Sequence, residues 1–145
     1  MMEVNIYIAS SIKGNKPKQG YIGFVLQAGN TNATKTVFEE CDANSNHSAV
    51  ICLEKALAHI KPSCNQIIIH ANLKYVDVML SKPRKNQGAD LLKTSKGQDI
   101  QYAAEWASIY EKLKGKDVKV KCNQPNEFRG WLQQECERRA EEHGF

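Results

Sequence analysis

The chain has 145 residues, 41% of them hydrophobic and 25% charged, with a formal net charge of +4. That length and balance predict one globular domain spanning residues 1–145, with a core able to bury about 68–70% of its unfolded surface. They exclude a membrane-spanning helix, since no apolar run approaches the ~20 residues a bilayer needs, and the mild charge permits a polyanionic partner without demanding one.

Residues 3–9 alternate toward a period of two and end in small and polar residues, which predicts a strand. Because Glu3 passes at once into that strand, no signal peptide and a cytoplasmic location are expected. Residues 10–20 hold two glycines, a proline and three lysines, the composition of a loop. Residues 21–27 (Tyr-Ile-Gly-Phe-Val-Leu-Gln) predict a second strand, residues 29–32 a turn and residues 35–41 a third strand. Three such strands suit an antiparallel meander. From Asp42 to Ser48 the residue types favour helix capping, and Val50, Leu53, Leu57 and Ile60 follow at helical spacing before Pro62 closes the helix.

The triplet Ile67-Ile68-Ile69 predicts a strand covered on both faces, as in a parallel arrangement. A short helix beginning near Asn72 carries Tyr75, Val76 and Met79, and residues 82–98 form a basic excursion with a short helix around residues 89–92. Asp99 is placed to cap a longer helix with Ala103, Trp106, Ala107, Tyr110 and Leu113 on its apolar face, closed by Gly115. Residues 117–122 alternate valine with lysine, which predicts a fifth strand exposed on one side. Pro125 suits the first turn of a last helix with Phe128, Trp131, Leu132 and Cys136 on one face, and the tail from Glu141 is expected to fray. The order is βββαβα-α-βα.

Charge is segregated along this order. Lys13, Lys16 and Lys18 crowd one loop, and Lys82, Arg84, Lys85, Lys93 and Lys96 fall in a stretch with Asp90 as its acid, while Glu135, Glu137, Glu141 and Glu142 gather near the end. Cys41, Cys52, Cys64, Cys122 and Cys136 are scattered without ligand spacing and read as reduced thiols. His70 reads as a hydrogen-bonded strand histidine and His47 as a solvated loop residue. Ser10-Ser11 fits turn chemistry, and Trp106 and Trp131 fit core packing at helical spacing.

Several motifs in this order resemble bacterial-type ribonuclease H. Gly14-Asn15-x-Pro17 and Gly20-Tyr21-x-Gly23 sit in the first hairpin as in that family, and Asn72-x-x-Tyr75-Val76 matches its acid-x-x-Tyr-Val turn apart from the acid. Lys93-Thr94 with the following Trp106 resembles the family's basic protrusion and next helix, and Pro125-Asn126-Glu127 resembles its entry to the last helix. The resemblance implies an α/β ribonuclease H-like fold: a five-stranded mixed sheet, three strands antiparallel and two parallel, flanked by helices.

The family's chemistry, as the resemblance implies it, needs four carboxylates around two divalent metals about 4 Å apart. Mg²⁺ is a hard cation held through carboxylates, waters and phosphates. The corresponding positions here are Ala9, Ser48 (Ala49 if the register slips by one), Asn72 and Gly130, and the family's histidine loop is shortened to Cys122-Asn123-Gln124. Asn72 is isosteric with aspartate but brings no charge. Of the other acids, Asp42 and Asp77 are poorly placed, and Glu127 is the one expected to approach the site.

The expected function is therefore an inactive ribonuclease H-like domain, without metal or other cofactor, that binds RNA/DNA hybrid or duplex RNA. In this reading Lys13, Lys16, Lys18, Arg84, Lys85, Lys93 and Lys96 contact phosphates, and Asn15, Asn44 and Asn72 bond the backbone or 2′-hydroxyls. Two alternatives stand beside it: a protein-interaction or assembly module on the same scaffold, and a residual hydrolase with displaced acids. The sequence leaves the oligomeric state and any protein partner open.

Overall fold

The computed structural model describes residues 3–29, 31, 33–85 and 90–145, without the side chains of Arg84 and Lys85. Five strands form one sheet: β1 (Glu3–Ser10), β2 (Lys18–Ala28), β3 (Thr34–Ala43), β4 (Gln66–Ala71) and β5 (Asp117–Cys122). Among the described residues four helices flank them: α1 (Ser45–Leu57), α2 (Lys74–Lys85), α3 (Ala103–Leu113) and α4 (Arg129–Glu142). The sheet order is β3-β2-β1-β4-β5. β2 pairs antiparallel with β1 from Val4↔Ala28 to Ser10↔Ile22 and with β3 from Lys18↔Ala43 to Gln27↔Thr34. β4 runs parallel to β1 (Glu3↔Gln66 to Tyr7↔His70) and to β5 (Gln66↔Asp117 to Ala71↔Cys122). The expected meander and the parallel pair are both present.

Alternation along the strands sorts the core into two layers. Ile6 and Ile8 of β1, Ile22 and Phe24 of β2, and Ile67 and Ile69 of β4 pack with Val50, Leu53, Val76 and Trp106 from the helices on one face. Tyr7, Ala9, Tyr21 and Val25 point to the other face, where Leu132, Cys136 and Ala140 of α4 cover them. Gly23 makes that approach possible: a Cβ there would come within 2.7 Å of the Phe38 ring and 3.0 Å of Cys136 Sγ. α4 lies over β1 and β2, and its start comes to the end of β1.

Element ends depart from the sequence reading where tertiary contacts override local signals. α1 ends at Leu57, five residues before Pro62. Asp99 does not cap α3: it bridges to Lys93 across a tight turn, and Tyr102 takes the cap position in the left-handed region at φ 58°. Residues 91 and 92 are a turn rather than helix, and residue 89 lies outside the described residues. Pro125 precedes α4, whose first residue is Arg129, because Asn126 Oδ1 accepts the Phe128 N–H at 3.0 Å and holds the chain in an Asx turn. The tail does not fray. The Phe145 N–H donates to the Ala140 carbonyl at 2.8 Å, and the rings of His143 and Phe145 pack on Tyr21 at 5.2 and 6.1 Å.

The tryptophans also separate. Trp106 is fully buried and donates from its indole to Tyr75 OH at 3.0 Å. Trp131 is 48% exposed and meets Phe38 edge-on at 6.0 Å. The buried stripe of α4 runs 132, 136, 140, so residue 131 falls one step round the helix from it.

Candidate functional site

β1 and β4 are parallel neighbours, and β1 turns away into β2 on its other side. Ligand crevices in open α/β sheets lie beyond the carboxyl ends of strands at such a point. A cleft of about 430 Å³ opens there. Ile8, Ala9 and Ser10 come to it from β1, Ile12 and Lys13 from the following loop, and Ala71, Asn72 and Leu73 from the end of β4. Ser45 and Ala49 enter it from the first turns of α1, and Val76 from α2. Arg129, Gly130, Gln133 and Gln134 close it from α4.

Of the four positions where the sequence lacks an expected acid, Ala9, Asn72 and Gly130 line this one cleft. Ser48 lies beneath it, fully buried. Its hydroxyl sits 2.7 Å from the Ser45 carbonyl and 2.8 Å from Ser10 Oγ, which also accepts the Ile12 N–H at 3.0 Å. Ser48 therefore braces α1 against the end of β1, and the next residue, Ala49, is the one that faces the cleft. Ser10 thus does turn chemistry, whereas Ser11 Oγ accepts the Tyr21 N–H at 2.9 Å and ties the end of β1 across the hairpin to β2. At Gly130 a Cβ would meet nothing within 4 Å, so this glycine opens on free space.

Among the described residues, the charged ones lining the cleft are Lys13 and Arg129, and no carboxylate lines it. Lys13 Nζ stands 3.4 Å from Glu137 Oε1, both side chains well exposed. Arg129 Nη2 donates to Asn123 Oδ1 at 3.3 Å. Gln133 Nε2 donates to the Ser10 carbonyl at 2.8 Å and so ties α4 to β1. Glu127, the expected replacement acid, turns elsewhere: its Oε1 accepts from Gln27 Nε2 at 3.1 Å on the sheet face, outside the cleft lining. The fold family implies divalent metals at this position, and the donor set does not fit them. Neutral amides, two hydroxyls and two cations cannot offset the charge of two hard divalent ions. Among the described residues no group of three or more His, Cys, Asp or Glu is disposed to hold a metal ion.

Of the other predicted site residues, Asn15 and Asn44 adjoin the loop that carries Lys13 to the cleft. The loop carrying Gly14 and Asn15 is tied to the start of α1 by Ser45 N–H to the Gly14 carbonyl (3.0 Å) and Asn44 Nδ2 to the Asn15 carbonyl (3.3 Å). Asn44 also caps α1 by accepting the His47 N–H at 2.8 Å, and its Nδ2 donates to Tyr102 OH at 3.1 Å. His47 is not a solvated loop residue. It lies in the first turn of α1, stacks on Tyr102 at 4.1 Å and pairs with Glu105 at 2.7 Å. Lys16 and Lys18 are exposed; Lys93 is paired with Asp99, and Lys96 sits on the exposed turn between them. The side chains of Arg84 and Lys85 lie outside the described residues.

Away from the cleft, His70 Nε2 lies 2.9 Å from Asn5 Oδ1, and its ring stacks on Tyr7 at 4.2 Å. Burial, and then the Lys121 ammonium, hold its pKa below the ordinary histidine value. Burial pushes the Cys136 thiol up to about 12 and the Cys52 thiol higher still, so neither is a nucleophile. Sequence reasoning missed Ser45, Arg129, Gln133 and Gln134. Helical phase sets the last three on the side of α4 that Gly130 shares, but their place at the cleft depends on how α4 crosses β1.

No protein-family model and no curated protein sequence matches the chain. Solved structures do match it. RNase H1 from the halophilic archaeon Halobacterium salinarum is 17% identical and superposes over 97% of this chain and 98% of its own, with a TM-score of 0.66. The PFV RNase H domain is 13% identical over 96% of this chain and 93% of its own, with a TM-score of 0.63. A foamy viral protease-reverse transcriptase, solved in complex with an RNA/DNA hybrid, is 14% identical over 99% of this chain and 20% of its own, with a TM-score of 0.61.

Proposed function

From a ribonuclease H fold whose cleft is lined by cations and amides, we propose that residues 1–145 form a catalytically inactive ribonuclease H-like domain that binds nucleic acid, RNA/DNA hybrid or duplex RNA. One observation carries this reading: the charged groups lining the cleft are Lys13 and Arg129, where metal-dependent hydrolysis needs carboxylates. The cleft keeps attraction for phosphate and lacks the groups that would activate water on it. Lys16 and Lys18 extend the positive edge from Lys13, and Asn15 and Asn72 supply neutral polar groups beside it; Asn44, held by its cap and by Tyr102, orders that edge. Cys41, Cys52, Cys122 and Cys136 are reduced thiols, in keeping with a reducing cytoplasm.

The test is fluorescence anisotropy with a labelled RNA/DNA hybrid across a salt series. If about three phosphates are neutralised, affinity should fall roughly 10–50-fold between about 50 and about 200 mM salt. Incubation of the same hybrid with Mg²⁺ or Mn²⁺ should leave it uncut. Absence of binding at low salt would overturn the reading in favour of an interaction module, and metal-dependent cleavage would overturn the inactivity.

A further inference from the structure

Beneath its two cations, the cleft is the wrong chemistry for a bare phosphodiester and the right chemistry for a flat, weakly polar ring. Its floor is made by Ile8, Ala9, Ile12, Ala49, Ala71 and Val76. A phosphate pressed onto those apolar side chains would lose its hydration against carbon, which is costly for an anion. The two cations that could receive a phosphate, Lys13 and Arg129, come from the loop after β1 and from the start of α4. Asn72 and Gln134 join them, and neither side chain has a hydrogen-bond partner among the described residues. Each amide offers both a donor and an acceptor. At about 430 Å³ the cavity lies in the range of small-molecule sites, and its make-up, mostly apolar with a few convergent polar groups, is theirs too.

We propose that this cleft is a nucleobase pocket: an unpaired nucleotide seats its base on the apolar floor, with Asn72 and Gln134 on the base edge and Lys13 and Arg129 on the adjoining phosphate. Pockets that take an extruded base work in this way, by apolar contact with the ring face and hydrogen bonds to its edge. A hydrocarbon anion would use the floor and the cations but offer the two amides nothing to bond. The proposal rests on the nucleic-acid reading above and deepens it. It assigns the ligand's contact with the cleft to a base, where that reading assigns only an affinity for phosphate. The same chemistry is offered by a free mononucleotide and by an unpaired nucleotide within a chain.

Calorimetric titration of the full chain with AMP, GMP, CMP, UMP, ribose 5-phosphate, inorganic phosphate and octanoate tests the assignment. At least one mononucleotide should bind ten-fold or more tighter than ribose 5-phosphate, phosphate or octanoate. Gly130→Leu projects a side chain into the opening from a position where a Cβ meets nothing within 4 Å, so it should melt no lower than the parent and lose nucleotide binding ten-fold or more. Lys119→Gln, on β5 and outside the cleft lining, should leave it unchanged. A hybrid carrying one unpaired nucleotide that binds tighter than its fully paired form assigns the base to a chain; equal affinity of the two, with mononucleotide binding intact, assigns it to a free nucleotide. Mononucleotides no tighter than ribose 5-phosphate, octanoate as good as any nucleotide, or a folded Gly130→Leu variant with full nucleotide affinity would each overturn the pocket. If the paired hybrid still binds with steep salt dependence in that event, the nucleic-acid reading stands while this inference falls. If neither binds, both fall.

Discussion

His70 shows how a single side chain here takes its properties from its neighbours. It is a strand residue whose ring lies flat on Tyr7 and whose Nε2 meets the Asn5 amide oxygen. Unfolded, it takes up a proton near its ordinary value of 6.5. Folded, burial first and the Lys121 ammonium second keep it neutral to lower pH. Between those two points the unfolded chain binds the more protons, so this contribution to stability is complete above 6.5 and falls as pH drops through the interval. It stops falling once the folded ring is protonated too. His70→Gln keeps an amide N–H for Asn5 and removes the titration. Its melting temperature should therefore fall less than the parent's between about pH 7 and about pH 5. Equal losses in thermal melts of the two proteins would show that His70 does not carry this part of the acid sensitivity.

Gly23 of β2 and Gly130 of α4 have opposite tasks, and only a structure tells them apart. Gly23 is surrounded: a methyl there would collide with Phe38 and crowd Cys136 Sγ, so Gly23→Ala should destabilise by about 1–3 kcal/mol through overpacking. Gly130 is helical, exposed and faces nothing within 4 Å, so Gly130→Ala should stabilise by roughly 0.5–1 kcal/mol by removing backbone entropy from the unfolded chain. Denaturant titration of both variants checks the signs; two losses would mean that Gly130 too is needed for packing. The elements themselves were legible in the sequence because their signals are local: alternation in β1 and β2, the isoleucine triplet of β4, helical spacing in α1 and α3. Their ends were less so, for reasons seated elsewhere in the fold. Asp99 answers Lys93 rather than the helix, and Tyr102 is held at positive φ beside a stack on His47 and a bond with Asn44. The tail that was expected to fray is pinned by the aromatic face of Tyr21.

At the scale of the molecule, three strands of antiparallel sheet and two of parallel bring distant residues to one opening. Ala9 and Asn72 could be placed there by resemblance alone, as each ends a strand. Arg129, Gln133 and Gln134 could not, since their part depends on how α4 crosses β1, a relation set by Gly23 and the 132–136–140 stripe. The same crossing lays an acid beside the positive edge: Glu137, one turn beyond Gln133, stands 3.4 Å from Lys13. Both groups are exposed, so the pair adds at most about 1 kcal/mol to stability. Its effect on a polyanion is larger, because Glu137 cancels a charge that would otherwise face phosphate. Glu137→Gln should leave the melting temperature nearly unchanged and tighten hybrid binding several-fold at about 50 mM salt. The gain should shrink toward nothing near 1 M, where the screening length falls to roughly 3 Å. Lys13→Gln should do the reverse, weakening binding and lowering the slope of log affinity against log salt by about one. Anisotropy titrations of the parent and both variants at several salt concentrations make the comparison. A gain in Glu137→Gln that persists at high salt, or an unaltered slope in Lys13→Gln, would place the phosphate contact away from this end of the sheet.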